Sequence, residues 1–112
     1  MNPLFSMLIL YVGLGLMFLG ISVPLIQRRV PPNNWYGFRV PKTLSSPNIW
    51  YPVNEYSGKE MYKTGLRVIL AAFALAFVPG MKLDFYVAAC TTILVLDLFR
   101  GLIVTARYLR TF

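Results

Sequence analysis

Of the 112 residues, 57% are hydrophobic and 13% charged, and the formal net charge is +7. A chain this short hides only part of its surface on folding, so this much apolar surface excludes an ordinary water-soluble domain and calls for lipid as the solvent. With no histidine and a single cysteine, Cys90, an intramolecular disulfide, a Cys/His zinc site and a histidine-assisted serine or cysteine nucleophile are all excluded.

The first predicted element is the uncharged run from Leu4 to Ile26, long enough to cross a hydrocarbon core as a helix. A cleaved signal peptide is the competing reading, but the run has no basic n-region and exceeds a usual h-region. Gly13, Gly15 and Gly20 are expected to mark a helix-packing face, and Pro24 to kink or end the last turn. Gln27, Arg28 and Arg29 stop the run, and Pro31 and Pro32 prevent its resumption. Trp35 and Tyr36 suit the head-group region, where a ring is buried while its polar atom stays hydrated. Gly37 offers a turn.

Ser45, Ser46 and Pro47 form a helix-start signal. Pro52 is expected to leave one turn over Pro47 to Tyr51, after which the helix restarts or passes through a local distortion. Trp50, Asn54, Gly58 and Met61 then share one helical face, while Glu55 and Lys59 form an i,i+4 pair on a wetter one. Residues 27–61 therefore read as a cytoplasmic-side loop followed by an amphipathic helix along the membrane interface.

A second crossing is predicted over Tyr62 to Val78, short enough that Lys63 and Arg67 must send their charged ends back toward the head groups. Ala72 and Ala76 have the spacing of a small-residue contact face, and Pro79 with Gly80 makes the turn. The third crossing, Leu83 to Val104, carries Asp97 and Arg100 and is followed by Arg107 and Arg110. Within it, Cys90 reads as a small packing residue.

Arginine and lysine gather in the first loop and at the C-terminus, which places the N-terminus outside and the C-terminus in the cytoplasm of a multi-pass cell-membrane protein. The basic residues follow the ends of apolar runs instead of forming a face, so nucleic acid is not an expected partner, whereas membrane lipids are. The expected fold is an all-α integral membrane protein with three transmembrane helices and an interfacial helix between the first and second. Its small-residue faces make a homo-oligomer a candidate assembly.

Two groups of residues could carry a function. Asp97 and Arg100, three apart on a helix, share a face inside a membrane segment, as a functional site or as a structural ion pair. Arg39 is a candidate competitor for Asp97 from the loop. Asn33, Arg39, Trp50 and Asn54 supply amides, a planar cation and an indole, a set suited to a carboxylate, a phosphate or a peptide backbone, and equally suited to gripping one another. None of the four carboxylates, Glu55, Glu60, Asp84 and Asp97, forms an evident acid/base pair, and no phosphate-cradling glycine loop is present. No catalytic residue, metal or cofactor is expected.

The loop also carries a resemblance. Pro31, Pro32, Asn33, Gly37, Phe38, Arg39, Pro41, Thr43, Leu44, Trp50, Asn54 and Gly58 stand at the spacing of a signature, and the chain resembles the SdpI-like immunity family of small membrane proteins. The resemblance implies binding of a peptide toxin or a regulatory protein in an immunity or signalling role. Asn33, Gly37, Phe38, Arg39, Trp50, Asn54, Asp97 and Arg100 are then the candidate binding residues. The alternative is a lipid-binding or small-molecule transport protein, with Asp97, Arg100 and Arg39 lining a polar cavity at the cytoplasmic leaflet.

Overall fold

The computed structural model describes residues 2–112 and contains four helices and, among those residues, no strand. Helix α1 spans Pro3–Ile26, the one-turn α2 Pro41–Leu44, α3 Pro47–Ala76 and α4 Leu83–Leu109. The molecule is elongated, 52 × 23 × 18 Å. Helices α1 and α4 are long and apolar enough to cross a membrane by length and composition. Their outward side chains are large and apolar, Ile9, Leu16, Leu96 and Phe99 among them.

Local chemistry sets the helix ends. Asn2 caps α1 by accepting the Leu4 N–H at 2.9 Å, and Ser46 caps α3 by accepting the Asn48 N–H at 3.1 Å ahead of Pro47. At the far end of α1, Arg28 takes a left-handed conformation with φ 58°. The Arg29 N–H then reaches back to Pro24 O at 2.9 Å, and the Arg28 N–H to Leu25 O at 3.2 Å, closing the helix as glycine more often does. A non-glycine residue in this conformation costs about 1–2 kcal/mol. The turn delivers the Arg28 guanidinium to Glu55, 2.7 Å away.

Helix α3 is the spine: α1 packs along one side and α4 along another, while α1 and α4 touch each other little. The face of α3 that holds Trp50, Asn54 and Gly58 continues through Gly65, Val68 and Ala72, all buried. This unbroken stripe explains a difference from the sequence expectation. The segments read as an interfacial helix and a second crossing form one 30-residue helix that runs straight through Pro52. Pro52 forfeits the bond to the carbonyl of Asn48, which is exposed and in the first turn, so little is lost there.

Glycine lets α1 approach. A Cβ on Gly58 would lie 3.1 Å from Ser22 O, and one on Gly65 would lie 2.7 Å from Gly15 O. Of the three glycines assigned to the α1 packing face, only Gly15 is at contact, because Gly13 and Gly20 point where a Cβ would meet nothing within 4 Å. At the end remote from the loop, Leu8, Tyr11, Val68, Ala72, Tyr86 and Cys90 form the buried core. There the Tyr11 hydroxyl bonds Thr91 Oγ1 at 2.7 Å and Tyr86 donates to Ala72 O at 2.9 Å, so polar groups as well as packing join the three long helices.

Candidate functional site

The candidate residues fall into two separate places. The first is the loop between α1 and α3. Asn33 folds it locally: its Oδ1 accepts the N–H groups of Trp35 and Tyr36, both at 2.7 Å, and its Nδ2 donates to Pro31 O at 2.7 Å. Trp50, fully buried, donates its indole N–H to Val30 O at 2.7 Å. Asn54 accepts the Phe38 N–H at 2.5 Å and donates to Trp50 O at 3.0 Å. Thr43, in α2, accepts the Val40 N–H at 3.0 Å and its hydroxyl lies 2.9 Å from Phe38 O.

Gly37 sits at φ +114°, and a Cβ there would lie 2.5 Å from Asn54 Oδ1 and 3.3 Å from the Trp50 ring. Only glycine satisfies both the backbone conformation and the close approach. The amides and the indole of the loop are thus spent on holding it against the first turns of α3. What they hold outward is Trp35, 89% exposed, with exposed Arg29, Arg39 and Lys42 around the same loop.

Arg39 does not meet Asp97. Its guanidinium donates to Asn34 O within the loop, because the loop is folded on α3 and Asp97 is turned to a different stretch of that helix. The Glu55 carboxyl, between Arg28 and Lys59 at 2.7 and 3.2 Å, is held below its ordinary value, first by the hydrogen bond from Arg28 and then by that from Lys59. The C-terminal end of α4 lies at this end of the bundle as well. Tyr108 stacks on Tyr56 with ring centroids 4.5 Å apart, and Lys42 donates to Phe112 O at 2.5 Å.

The second place is an ionic belt between α3 and α4. Asp97 receives Arg67 at 3.0 Å, Arg100 at 3.1 Å and the Thr64 hydroxyl. Arg100 also lies 2.9 Å from Glu60 Oε2, and Lys63 lies 3.5 Å from Glu60 Oε1. The contact to Glu60 is made by Nη1 of Arg100 and is an ion pair, while the neighbouring Arg100 Nη2 is buried with no hydrogen-bond partner. Beside them a cleft of about 160 Å³ opens between the helices, with Ser57, Glu60 and Thr64 on its α3 wall and Leu98, Gly101 and Leu102 on its α4 wall.

The sequence pointed to Asp97 and Arg100 but not to Glu60, Thr64 and Arg67. Lys63 and Arg67 read as cations leaning toward head groups, whereas Arg67 turns inward to Asp97. The signal was in the register: Glu60, Thr64 and Arg67 are spaced four and three apart, the same pattern as the buried stripe, one face round the helix.

No curated protein and no solved structure matches the chain. A family model does, over residues 29–106, more than two thirds of the length and inclusive of both the loop and the ionic belt. Two helices of membrane-crossing character, the loop signature locked onto α3 and this match together assign the chain: it belongs to the SdpI/YfhL protein family and is an SdpI-like membrane protein.

Proposed function

We propose that the protein is a multi-pass cell-membrane protein that binds an amphipathic peptide toxin or a regulatory protein through its cytoplasmic-side loop, in an immunity or signalling role. In this reading α1, α3 and α4 cross the membrane, with the N-terminus outside and the C-terminus in the cytoplasm. The first turns of α3, from Pro47 to about Met61, stand in the head-group region, and the second crossing follows from Tyr62. Supporting this direction, the loop and the end of α4 share one end of the bundle and carry Arg28, Arg29, Arg39, Lys42, Arg107 and Arg110.

The observation that carries the reading is Trp35. Its backbone N–H is fixed by Asn33 at 2.7 Å while the residue is 89% exposed. A large exposed aromatic on a hydrogen-bonded loop amid cations has the composition of a binding hot spot, and the fold has already ordered the backbone that carries it. An acidic or amphipathic segment is the complementary partner.

The test is native mass spectrometry of protein extracted gently from its own membrane, wild type against Trp35→Ala at equal folded yield. A bound peptide or protein lost in the variant supports the reading. Unchanged adducts sink it. A second reading, lipid binding at the cytoplasmic leaflet, is favoured by a different observation, the cleft beside Glu60 and Arg100. Arg39, bonded within its loop, takes no part in it.

A further inference from the structure

Every ion pair among the described residues uses one of three carboxylates, Glu55, Glu60 and Asp97, and each of the three is shared by two cations. Five cations, Arg28, Lys59, Lys63, Arg67 and Arg100, therefore stand against three anions, and two positive charges are left over. The fourth carboxylate, Asp84, sits in the first turn of α4 at the far end of the bundle and neutralises none of them. In water dissolved ions screen such an excess. Along a helix that enters a bilayer they do not, and an uncompensated charge near hydrocarbon is costly.

The excess has a location. Lys59 and Lys63 stand one turn apart on a side of α3 that α1 and α4 leave open, with side chains 57% and 55% exposed. An ammonium has three N–H donors, and each lysine has one carboxylate oxygen in reach, Glu55 Oε2 at 3.2 Å from Lys59 and Glu60 Oε1 at 3.5 Å from Lys63. Both carboxylates make their shorter contacts, 2.7 and 2.9 Å, with Arg28 and Arg100. The two ammoniums are thus the loosely held members of the network. Further along the same side of α3, Leu66, Leu70 and Phe73 are exposed. Helical side chains lean toward the N-terminus of their helix, which carries both ammoniums away from these apolar residues and toward the loop end. Cations first and apolar surface after them is the order of a phospholipid lying along the helix.

We infer that this side of α3 binds one anionic phospholipid of the cytoplasmic leaflet, its phosphate shared by Lys59 and Lys63 and an acyl chain lying on Leu66, Leu70 and Phe73. Residues four apart on a helix have Cβ atoms about 5–6 Å from each other, close enough for two ammoniums to grip one phosphate. The charge excess selects the head group. Choline or ethanolamine brings its own cation with the phosphate and leaves the excess where it was, whereas a glycerol head adds a net negative charge beside the lysines. The inference deepens the lipid-binding reading and rests on the membrane placement of α3 and α4, not on the cleft or on partner binding at Trp35.

The full chain is reconstituted in nanodiscs of equal phosphatidylglycerol, phosphatidylcholine and phosphatidylethanolamine in a buffer containing inorganic phosphate, released, and its adducts identified by native mass spectrometry. The wild type should keep one phosphatidylglycerol over either zwitterionic lipid by about tenfold, the scale of one to two lysines near an anionic head group. That ratio is read whether or not a variant folds. Lys59→Gln with Lys63→Gln should bring the three lipids toward parity, and Lys59→Arg with Lys63→Arg should keep the preference. Lys82→Gln, which removes a charge in the turn before α4, should leave it unchanged. Retention without head-group preference, or a preference that survives folded Lys59→Gln with Lys63→Gln, overturns the anionic site alone. Absence of any retained lipid overturns the lipid-binding reading as well, with a bare phosphate adduct assigning the lysines to a free anion and a dimer assigning this side of α3 to a second copy.

Discussion

Gly15 and Gly65 meet backbone to backbone: a Cβ on Gly15 would lie 2.8 Å from Gly65 O, and a Cβ on Gly65 would lie 2.7 Å from Gly15 O. Neither obstacle is a flexible side chain, so neither gives way. Gly15→Ala and Gly65→Ala should each destabilise the protein by about 1–3 kcal/mol through overpacking. Gly13→Ala and Gly20→Ala, which meet open space, should be neutral or stabilising by up to about 1 kcal/mol from helix propensity. Thermal unfolding in detergent, followed by circular dichroism, separates the two pairs. A Gly65→Ala variant as stable as wild type would refute the close approach.

The loop depends on Asn54. Replacing it with alanine leaves the Phe38 N–H without its acceptor beneath the loop, at a cost of about 1–3 kcal/mol. Limited proteolysis should then cut between residues 30 and 46 well before the long helices are attacked. Gly37→Ala should behave the same way, since it introduces strain at φ +114° and displaces the same Asn54 amide.

Glu55 gives a pH dependence of known sign. Its carboxyl titrates below its ordinary 4.5 because Arg28 and Lys59 stabilise the charged form. The associated stability is fully present above 4.5 and is lost as pH falls through the lowered value of the folded state. Melting temperature should therefore fall less on acidification in Glu55→Gln than in wild type, from a lower starting point at neutral pH. Parallel curves for the two proteins would contradict the pairing.

Asp97 is the anion on which two arginines converge. Asp97→Asn should destabilise by about 2–4 kcal/mol, a buried-pair cost reduced because the partly exposed Arg67 and Arg100 are free to reorient. Arg67→Ala should cost less, as Asp97 keeps Arg100 and the Thr64 hydroxyl. Unfolding titrations of the two variants in mixed micelles give the order, and a larger loss in Arg67→Ala would be the wrong one.

How legible the molecule was in its sequence varies with the range of the interactions involved. Leu4 to Ile26 and Leu83 to Val104 were visible because an unbroken apolar run and its charged ends are local signals. The cap at Ser46 and Pro47 and the Glu55–Lys59 pair were equally local. The continuity of α3 was hidden by Pro52, whose usual penalty was overridden by a stripe of contacts with α1 that no window around Pro52 contains. Which glycine of α1 touches α3 depends on the register of two helices some fifty residues apart, so Gly13, Gly15 and Gly20 looked alike. Arg39 and Asp97 seemed natural partners by charge and membrane side, but the loop's own hydrogen bonds claim Arg39 first.

The ionic belt also constrains how the chain enters a bilayer. With Lys59, Glu60, Lys63 and Arg67 on one stretch, α3 is too polar to partition into hydrocarbon unaided. The counter-ion for Arg67 is Asp97, which arrives only with α4, after the tight turn at Pro79 and Gly80. On the three-crossing arrangement, α1 can insert alone during synthesis, but α3 must wait at the surface and go in with α4 as a helical hairpin. A ribosome-bound chain truncated before Asp97 would thus leave α3 outside the hydrocarbon, and lengthening it past Arg100 would draw both helices in together.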